Sequence, residues 1–447
     1  MSFPARQPHR RKVHIQTWGC QMNEYDSDKI LEVLHRENYE FTPQPEEADL
    51  ILLNTCSVRD KAEQKVYSFL GGLRELKKIK PHLQVGVGGC VAQQEGKQIL
   101  KRSDAVDVVF GTDNLFDLPE LLAEASSGRR VVRTERVAQR QKVRNFVPGY
   151  TFEKAQPGLK AHLAITKGCN NFCSFCIVPI TRGLEVSREP EDILNEARQL
   201  VQSGTREVCL LGQNVNSYKA NGVGFVELLQ RLDEIEGLER VRFTSPHPKD
   251  FQEELSALFG QLRTLCEQLH LPLQSGSDEL LRKMRRWYTV DRYRDKVQLY
   301  RERVPEGTLS TDLIVGFPGE SEADFEATLE AVREFRFDLI YAFKYSPRPG
   351  TPAADYPGHL PEEVKRERLK ALLELQEQIS HERNQALIGS TQELLVEGRH
   401  PRRPEAWNGR TRGNHAVAVE AQTQIGELLP VRITEARTYA LEAEPLV

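Results

Sequence analysis

The sequence predicts an α/β chain in three parts: an N-terminal doubly wound parallel sheet, a central partial (βα)6 barrel and a small C-terminal β-barrel. Three observations carry this. Apolar β-branched segments alternate with helical patterns through residues 12–128, the signature of a parallel sheet covered on both faces. Six further strand–helix pairs follow across residues 158–384, two short of the number that closes a complete barrel. Past Gly389 the helical period stops and short alternating strands take over.

Composition agrees. A length of 447 residues, at about 100–200 per domain, accommodates several domains. With 39% hydrophobic and 28% charged residues, the chain can build true cores. The net charge of −4 exerts no global pull on a polyanion, so any nucleic-acid contact must come from local basic patches. No apolar run approaches the roughly 18 residues of a membrane span, so no membrane partner is expected. Residues 1–11 are basic with no apolar stretch behind them, and a disordered leader is expected there rather than a signal peptide. Eight cysteines without an export signal favour metal binding or reactivity over a disulfide framework.

In the N-terminal domain, Val13–Gly19, Leu50–Thr55 and Gln84–Gly89 read as strands. Each runs directly into a cysteine: Cys20, Cys56 and Cys90. Helical patterns occupy Ser27–Glu37 and Asp60–Lys80, and a further strand, Val106–Gly111, precedes a helix near Leu115–Ala125. Ligands bind at the carboxyl edge of such sheets, so three cysteines distant in sequence are expected to converge. Three thiolates can hold three irons of a cubane and leave the fourth open. Ordinary buried cysteines are the plainer reading of one such position and the weaker reading of three.

Residues 129–157 are expected to form a basic linker. Its first sixteen residues hold seven basic side chains against one acid. A solvated linker and a phosphate-contacting strap both fit. Pro148-Gly149 and Pro157-Gly158 mark the boundary.

The barrel opens with a strand, His162–Gly168, that runs into Lys167–Ile177. This stretch holds Cys169, Cys173 and Cys176 in a C-x3-C-x2-C spacing. Structural zinc wants four ligands, and no second C-x2-C pair follows; three thiolates again leave one iron of a cubane open. Further strands are expected at Glu207–Asn214, Arg240–Ser245, Leu269–Gln274, Leu309–Gly316 and Asp338–Tyr345. Helices are expected at Glu191–Ser203, Val226–Ile235, Glu322–Phe335 and Val364–Asn384. Functional groups in barrels gather at carboxyl strand ends, where Gln213, Asn214, Asn216, Ser245, Gln274 and Ser275 fall. Gly316–Glu320 lacks the Lys-[Ser/Thr] ending of a phosphate loop. Cys209 and Cys266 sit in apolar runs and read as structural. Leu281–Tyr288 is basic with adjacent aromatics, which suits either stacking on RNA bases or a basic helix end.

In residues 385–447, short strands are expected at Gln392–Val396, Ala416–Val419, Leu428–Thr434 and Thr438–Glu442. Between the first two, Arg399–Arg412 holds five arginines, one acid and Trp407. It reads as a stacking-plus-phosphate surface for RNA or as a solvated loop.

The C-x3-C-x2-C spacing, with Phe175 before its last cysteine, resembles the radical S-adenosylmethionine (SAM) superfamily, whose fold is typically a six-unit partial barrel. Gly19–Ser27 and Asn54–Lys65 resemble the N-terminal domain of its methylthiotransferases. They are closest to the tRNA branch, the 2-methylthio-N6-dimethylallyladenosine synthases (the MiaB family). Pro179–Gly183 fits the same pattern; Lys167, where an acid or another residue is expected, departs from it. The C-terminal segment is similar to a TRAM domain, an RNA-binding appendage.

This resemblance implies a tRNA methylthiotransferase acting at carbon 2 of isopentenyladenosine beside the anticodon. It implies two [4Fe-4S] clusters, one on Cys169, Cys173 and Cys176 and an auxiliary one on Cys20, Cys56 and Cys90. It implies SAM in a pocket lined by Gln213, Asn214, Ser245 and Gln274, with the Gly316–Glu320 turn. The first cluster would cleave SAM to a radical that takes the carbon-2 hydrogen, the auxiliary cluster would supply or relay sulfur, and a second SAM would give the methyl group. Expected partners are tRNA, an external electron donor and a sulfur source, with the chain a cytoplasmic monomer. Three alternatives stay open: a methylthiotransferase for a ribosomal-protein aspartate, one for threonylcarbamoyladenosine in tRNA, and a non-enzymatic iron–sulfur RNA-binding regulator.

Overall fold

The computed structural model describes residues 10–57, 60–137 and 158–446. The expected leader, up to residue 9, and most of the expected basic linker, residues 138–157, lie outside the described residues. The chain divides into two compact units. The first comprises the described residues within Met1–Phe152 together with Lys167–Cys169 and Ile177–Val186; the second comprises the rest.

The first unit is built on a six-stranded sheet. Its strands are β1 (Arg11–Trp18), β2 (Tyr39–Phe41), β3 (Leu50–Thr55), β4 (Gln84–Gly89), β5 (Val108–Phe110) and β6 (Val131–Arg133), in the order β2-β1-β3-β4-β5-β6. Every pairing is parallel. All six residues of β3 are buried, which is why a central parallel strand reads as an unbroken apolar run. Its side chains alternate between faces. Ile51 and Leu53 pack with Val85, Val87, Val66 and Leu70. Leu50 and Leu52 pack with Ile30 and Leu34 on one helix and with Leu118 and Leu121 on another. Each such burial contributes about 1.5–3 kcal/mol. The sheet is therefore covered on both faces, as expected.

Two differences matter. The first helix spans Gln21–Arg36 and starts six residues before the expected Ser27. Its first turns bury Asn23, Asp26 and Ser27, so polar inward residues hide the apolar stripe that marks a helix. Strand β6 occupies part of the stretch expected as linker. There Arg130 Nε donates to the Val106 carbonyl (2.9 Å), and Arg133 pairs with Glu120 and Glu124. These arginines serve the domain's own edge.

The second unit holds the barrel strands Lys160–Ala164, Glu207–Leu211, Arg240–Phe243, Gln268–His270, Thr308–Val315 and Leu339–Lys344. They form two three-stranded parallel sheets, joined by a parallel bridge from Val241 to Leu265. Six parallel strands thus follow in sequential order. They share one core, including Leu163, Val208, Val241, Leu269 and Leu309.

The C-terminal part closes into a five-stranded barrel from Thr391–His400, Arg403–Thr411, Ala416–Val419, Leu428–Ala436 and Leu441–Pro445. Here the reading of Arg399–Arg412 as loop or stacking surface needs correction. Arg403–Thr411 is a strand. Trp407 is 8% exposed and belongs to the barrel core, with its Nε1 donating to the Ala421 carbonyl (3.1 Å) and the Arg399 guanidinium lying 3.8 Å over its ring. Arg412 donates to Glu267 (2.6 Å), and Arg242 and Arg240 reach back to the carbonyls of Thr411 and Arg410. The Arg412 side chain and the carbonyls of Arg410 and Thr411 therefore anchor the small barrel to the strands it follows.

Candidate functional site

Strand register brings the first three cysteines together. Trp18 pairs with Thr55, and Thr55 pairs with Gly89. Cys20, Cys56 and Cys90 therefore leave the carboxyl ends of three adjacent strands, which sit about 4.8 Å apart. They flank the gap between β1 and β3, where the strand order reverses and such sheets bind ligands. The Cys56 thiol is in hydrogen-bonding contact with the thiols of both Cys20 and Cys90. Cys20 is the N-cap of the helix Gln21–Arg36, and Cys90 is the first residue of the helix Cys90–Glu95. Helix N-termini favour thiolates. Gly89, at φ +88°, lies so close to Asn54 Oδ1 and the Thr55 carbonyl (2.5 Å each from a built Cβ) that no side chain fits between β4 and Cys90.

Side-chain amides hold the two quoted motifs against each other. Asn23 Nδ2 donates to Asn54 Oδ1 (3.0 Å), and Asn54 Nδ2 donates to the Asn23 carbonyl (2.8 Å) and to Ser27 Oγ (2.9 Å). The thiols of Cys20 and Cys90 are each lowered to about 6, chiefly by hydrogen bonding with the Cys56 thiol, with the Arg182 cation adding to the effect. Hydrogen bonding with these two neighbours pushes the Cys56 thiol up. Arg182 is 2% exposed, and its Nη2 donates to Asp26 Oδ2 (2.7 Å).

Arg182 and Lys167 flank the C-x3-C-x2-C stretch, and both belong to the first unit. Lys167, the departure from the family pattern, is buried. Its Nζ donates to the Thr112 carbonyl (2.6 Å) and pairs with Asp113 (3.1 Å). Thr112 Oγ1 in turn donates to the Thr181 carbonyl (2.7 Å). A Cβ on Gly168, at φ +83°, would stand 2.2 Å from the Leu184 carbonyl oxygen, so this turn admits only glycine. Cys169 donates its N–H to the Gly183 carbonyl (3.1 Å).

In the second unit, Cys176 donates its N–H to the Cys173 carbonyl (3.0 Å), and Arg286 Nη1 donates to Cys173 Sγ (3.4 Å). Arg286 also reaches the Pro272 carbonyl (3.1 Å) and Tyr288 Oη (3.0 Å). Within the expected RNA-stacking stretch Leu281–Tyr288, Arg286 and Tyr288 are thus buried supports of the cysteine loop. Trp287, 66% exposed, faces outward, and its Nε1 donates to the Asn171 carbonyl (3.4 Å).

The expected SAM-pocket residues all lie at carboxyl strand ends. Gln213 and Asn214 follow Glu207–Leu211, and Ser245 follows Arg240–Phe243. Gln274 bridges to Leu313 beyond Gln268–His270. Ser245 and Gln274 adopt positive φ (60° and 75°), the kind of strained backbone that clusters at ligand sites. Asn214 Nδ2 donates to Asp250 (2.8 Å), and Asn216 exchanges hydrogen bonds with the His247 backbone. Asn214 Oδ1 and His247 Nε2 are buried without a hydrogen-bond partner among the described residues. Glu320 Oε2 accepts from the Gly316 N–H and from Arg368 (2.6 Å each), while its Oε1 is buried without a hydrogen-bond partner among the described residues. Burial drives the Cys209 thiol up to about 12 and raises that of Cys266, as befits inert structural cysteines.

Among the described residues, no three His, Cys, Asp or Glu side chains are arranged to hold a single metal ion. The donor chemistry instead suits a cluster: three convergent thiols beside the buried Arg182 cation. Sequence reasoning missed Asp26, Lys167, Arg182, Arg286 and His247 as parts of these sites. Asp26 lay inside the quoted Gly19–Ser27 motif and Arg182 inside Pro179–Gly183; for Arg286 there was no signal beyond a basic helix end.

Three family models match: the uncharacterized protein family UPF0004 over residues 12–111, the radical SAM superfamily over 163–332 and the TRAM domain over 385–446. The chain is similar to the tRNA-2-methylthio-N(6)-dimethylallyladenosine synthases of Carboxydothermus hydrogenoformans (46% identity, 97% of this chain, 98% of that one) and Moorella thermoacetica (44%, 97% and 98%). Its fold resembles that of the radical S-adenosylmethionine methyltransferase TsrM from Kitasatospora setae, with a TM-score of 0.59 at 17% identity over 77% of this chain and 75% of that one.

Proposed function

We infer that this chain, which belongs to the tRNA-2-methylthio-N(6)-dimethylallyladenosine synthase family, is a radical-SAM tRNA methylthiotransferase that places a methylthio group on carbon 2 of isopentenyladenosine beside the anticodon. It works with SAM and two [4Fe-4S] clusters. The observation that carries the reading is the presence of two separate three-cysteine sets, Cys20, Cys56 and Cys90, and Cys169, Cys173 and Cys176, each of which would leave one iron of a cubane without a protein ligand. When bound, the cofactors supply the radical chemistry, the sulfur and the methyl group that no side chain can.

The chain's own residues hold and shield that chemistry. Cys169, Cys173 and Cys176 would hold the SAM-binding cluster, with the buried Arg286 donating to Cys173. Cys20, Cys56 and Cys90 would hold the auxiliary cluster, their negative charge offset by two helix N-termini and Arg182. Asn214 Oδ1 and His247 Nε2, buried and unsatisfied, would meet polar groups of SAM at the same edge as Gln213, Ser245 and Gln274. The target adenine must leave its stack, and an anticodon loop lowers that cost because its bases are already splayed. Exposed Arg399 and Arg402 on the small barrel would contact tRNA phosphates. No described helix is long and apolar enough to cross a membrane. An external electron donor, an external sulfur source, a cytoplasmic setting and a monomeric state complete the reading.

The test is mass spectrometry of tRNA nucleosides from a strain lacking this gene, with and without its restoration. The methylthio-isopentenyl nucleoside should vanish in its absence and isopentenyladenosine should accumulate. An unchanged nucleoside profile would overturn the assignment.

A further inference from the structure

Arg182 follows the C-x3-C-x2-C loop in sequence but faces the other cysteine set. Its Nη2 donates to Asp26 at 2.7 Å, and the guanidinium lies within hydrogen-bonding reach of the Cys90 thiol and close to that of Cys20. Its Nη1 is buried without a hydrogen-bond partner among the described residues. Burying a guanidinium is costly unless its charge and its donors are matched. Asp26 matches part of it, and one donor remains.

The placement is firmly held. The segment carrying Arg182 is tied down by the Thr112 hydroxyl on the Thr181 carbonyl and by Arg136 on the Ile180 carbonyl. On the other side of the loop, Lys167 is fixed to Thr112 and Asp113. The guanidinium is therefore held near Cys20 and Cys90, at the ends of β1 and β4, and is buried from solvent.

We propose that Arg182 is a positioning residue for the auxiliary cluster: its spare N–H donates to a ligating thiolate, and its charge, tempered by Asp26, sets that cluster's reduction potential. This rests on the reading of Cys20, Cys56 and Cys90 as cluster ligands. A cation beside a cluster favours the reduced form, which is one charge more negative, and a carboxylate favours the oxidised form. Hydrogen bonds to ligating groups act in the same sense as the cation. The stretch that follows the ligands of one cluster thus supplies the counter-charge of the other.

The test uses the full-length chain with Cys169, Cys173 and Cys176 replaced by Ala, so that the auxiliary cluster alone gives a paramagnetic signal on reduction. Its midpoint potential is measured by redox titration in this parent and after Arg182→Gln, Arg182→Lys and Asp26→Asn. Arg182→Gln should move the midpoint to more negative values, Asp26→Asn to more positive values, and Arg182→Lys should stay near the parent. Loosening of the fold alone would not give opposite signs. Fully loaded clusters with an unmoved midpoint, or shifts of one sign in both charge-removing variants, would overturn the proposal. If Arg182→Gln fails to fold or to load iron, an unmoved or negative shift in Asp26→Asn overturns it just as well. A parent that binds no iron overturns the ligand reading itself, and the proposal with it.

Discussion

Nη1 of Arg286 donates to Sγ of Cys173 across 3.4 Å, from a side chain that is almost wholly buried. Its other donors go to the Pro272 carbonyl and Tyr288 Oη, so the guanidinium has no freedom to turn away. A charge-assisted hydrogen bond of this kind contributes about 1.5–3 kcal/mol. Arg286→Ala should therefore slow release of 5′-deoxyadenosine from SAM by roughly 10- to 100-fold. Cleavage at the parent rate would mean that the contact only supports the loop.

The two cysteine sets should separate functionally. Cys173→Ala is expected to abolish SAM cleavage. Cys56→Ala is expected to leave cleavage intact while stopping thiolation, because its thiol lies between those of Cys20 and Cys90 on the other sheet. Methylthio product from the Cys56 variant, read by nucleoside mass spectrometry, would contradict this division.

Trp407 should behave as a core residue and not as an RNA contact. Trp407→Ala is expected to destabilise the small barrel by about 3–5 kcal/mol, seen as an earlier thermal transition. The exposed Arg399 and Arg402 carry the opposite expectation. Replacing both with Ala should weaken binding of an anticodon stem-loop and flatten its salt dependence; Arg402→Ala alone should leave the melting temperature nearly unchanged, whereas losing Arg399 from the Trp407 ring should cost about 0.5–1 kcal/mol. A titration at two salt concentrations checks this.

Acid should destabilise the fold through two histidines. Burial lowers the pKa of both His247 and His415, so each favours its neutral form more in the folded chain than in the unfolded one. The unfolded chain takes up protons as pH falls through about 6.5. The contribution of His247 to stability is thus complete well above that pH and declines below it by about 1.4 kcal/mol per pH unit, and His415 acts in the same direction. Urea midpoints of the metal-free protein at pH 7.5 and 5.5 should differ accordingly, and less so after His247→Gln and His415→Gln.

Much of this architecture was legible before any coordinates. The doubly wound sheet showed itself because β3 is buried on both faces and so reads as continuous apolar chain. The helix expected at Glu322–Phe335 is found with those same bounds. Its Ser321 N-cap and Asp324 form a local capping box. Where inward positions were small or polar, the signal failed. Asn23, Asp26 and Ser27 concealed the first turns of a helix. In Arg403–Thr411 the outward arginines dominated, and a strand read as loop.

The six cysteines at strand and loop positions were set by the sequence alone, because a strand ending in a cysteine and a C-x3-C-x2-C spacing are properties of chain neighbours. Register between strands decided that Cys20, Cys56 and Cys90 touch. Tertiary structure alone decided the charges around them. Asp26 and Arg182 are separated by 156 positions, and Cys173 and Arg286 by 113. No local periodicity records such pairs. They exist because a buried cation must find a counter-charge or an acceptor once folding has removed water, and the fold determines which one is within reach.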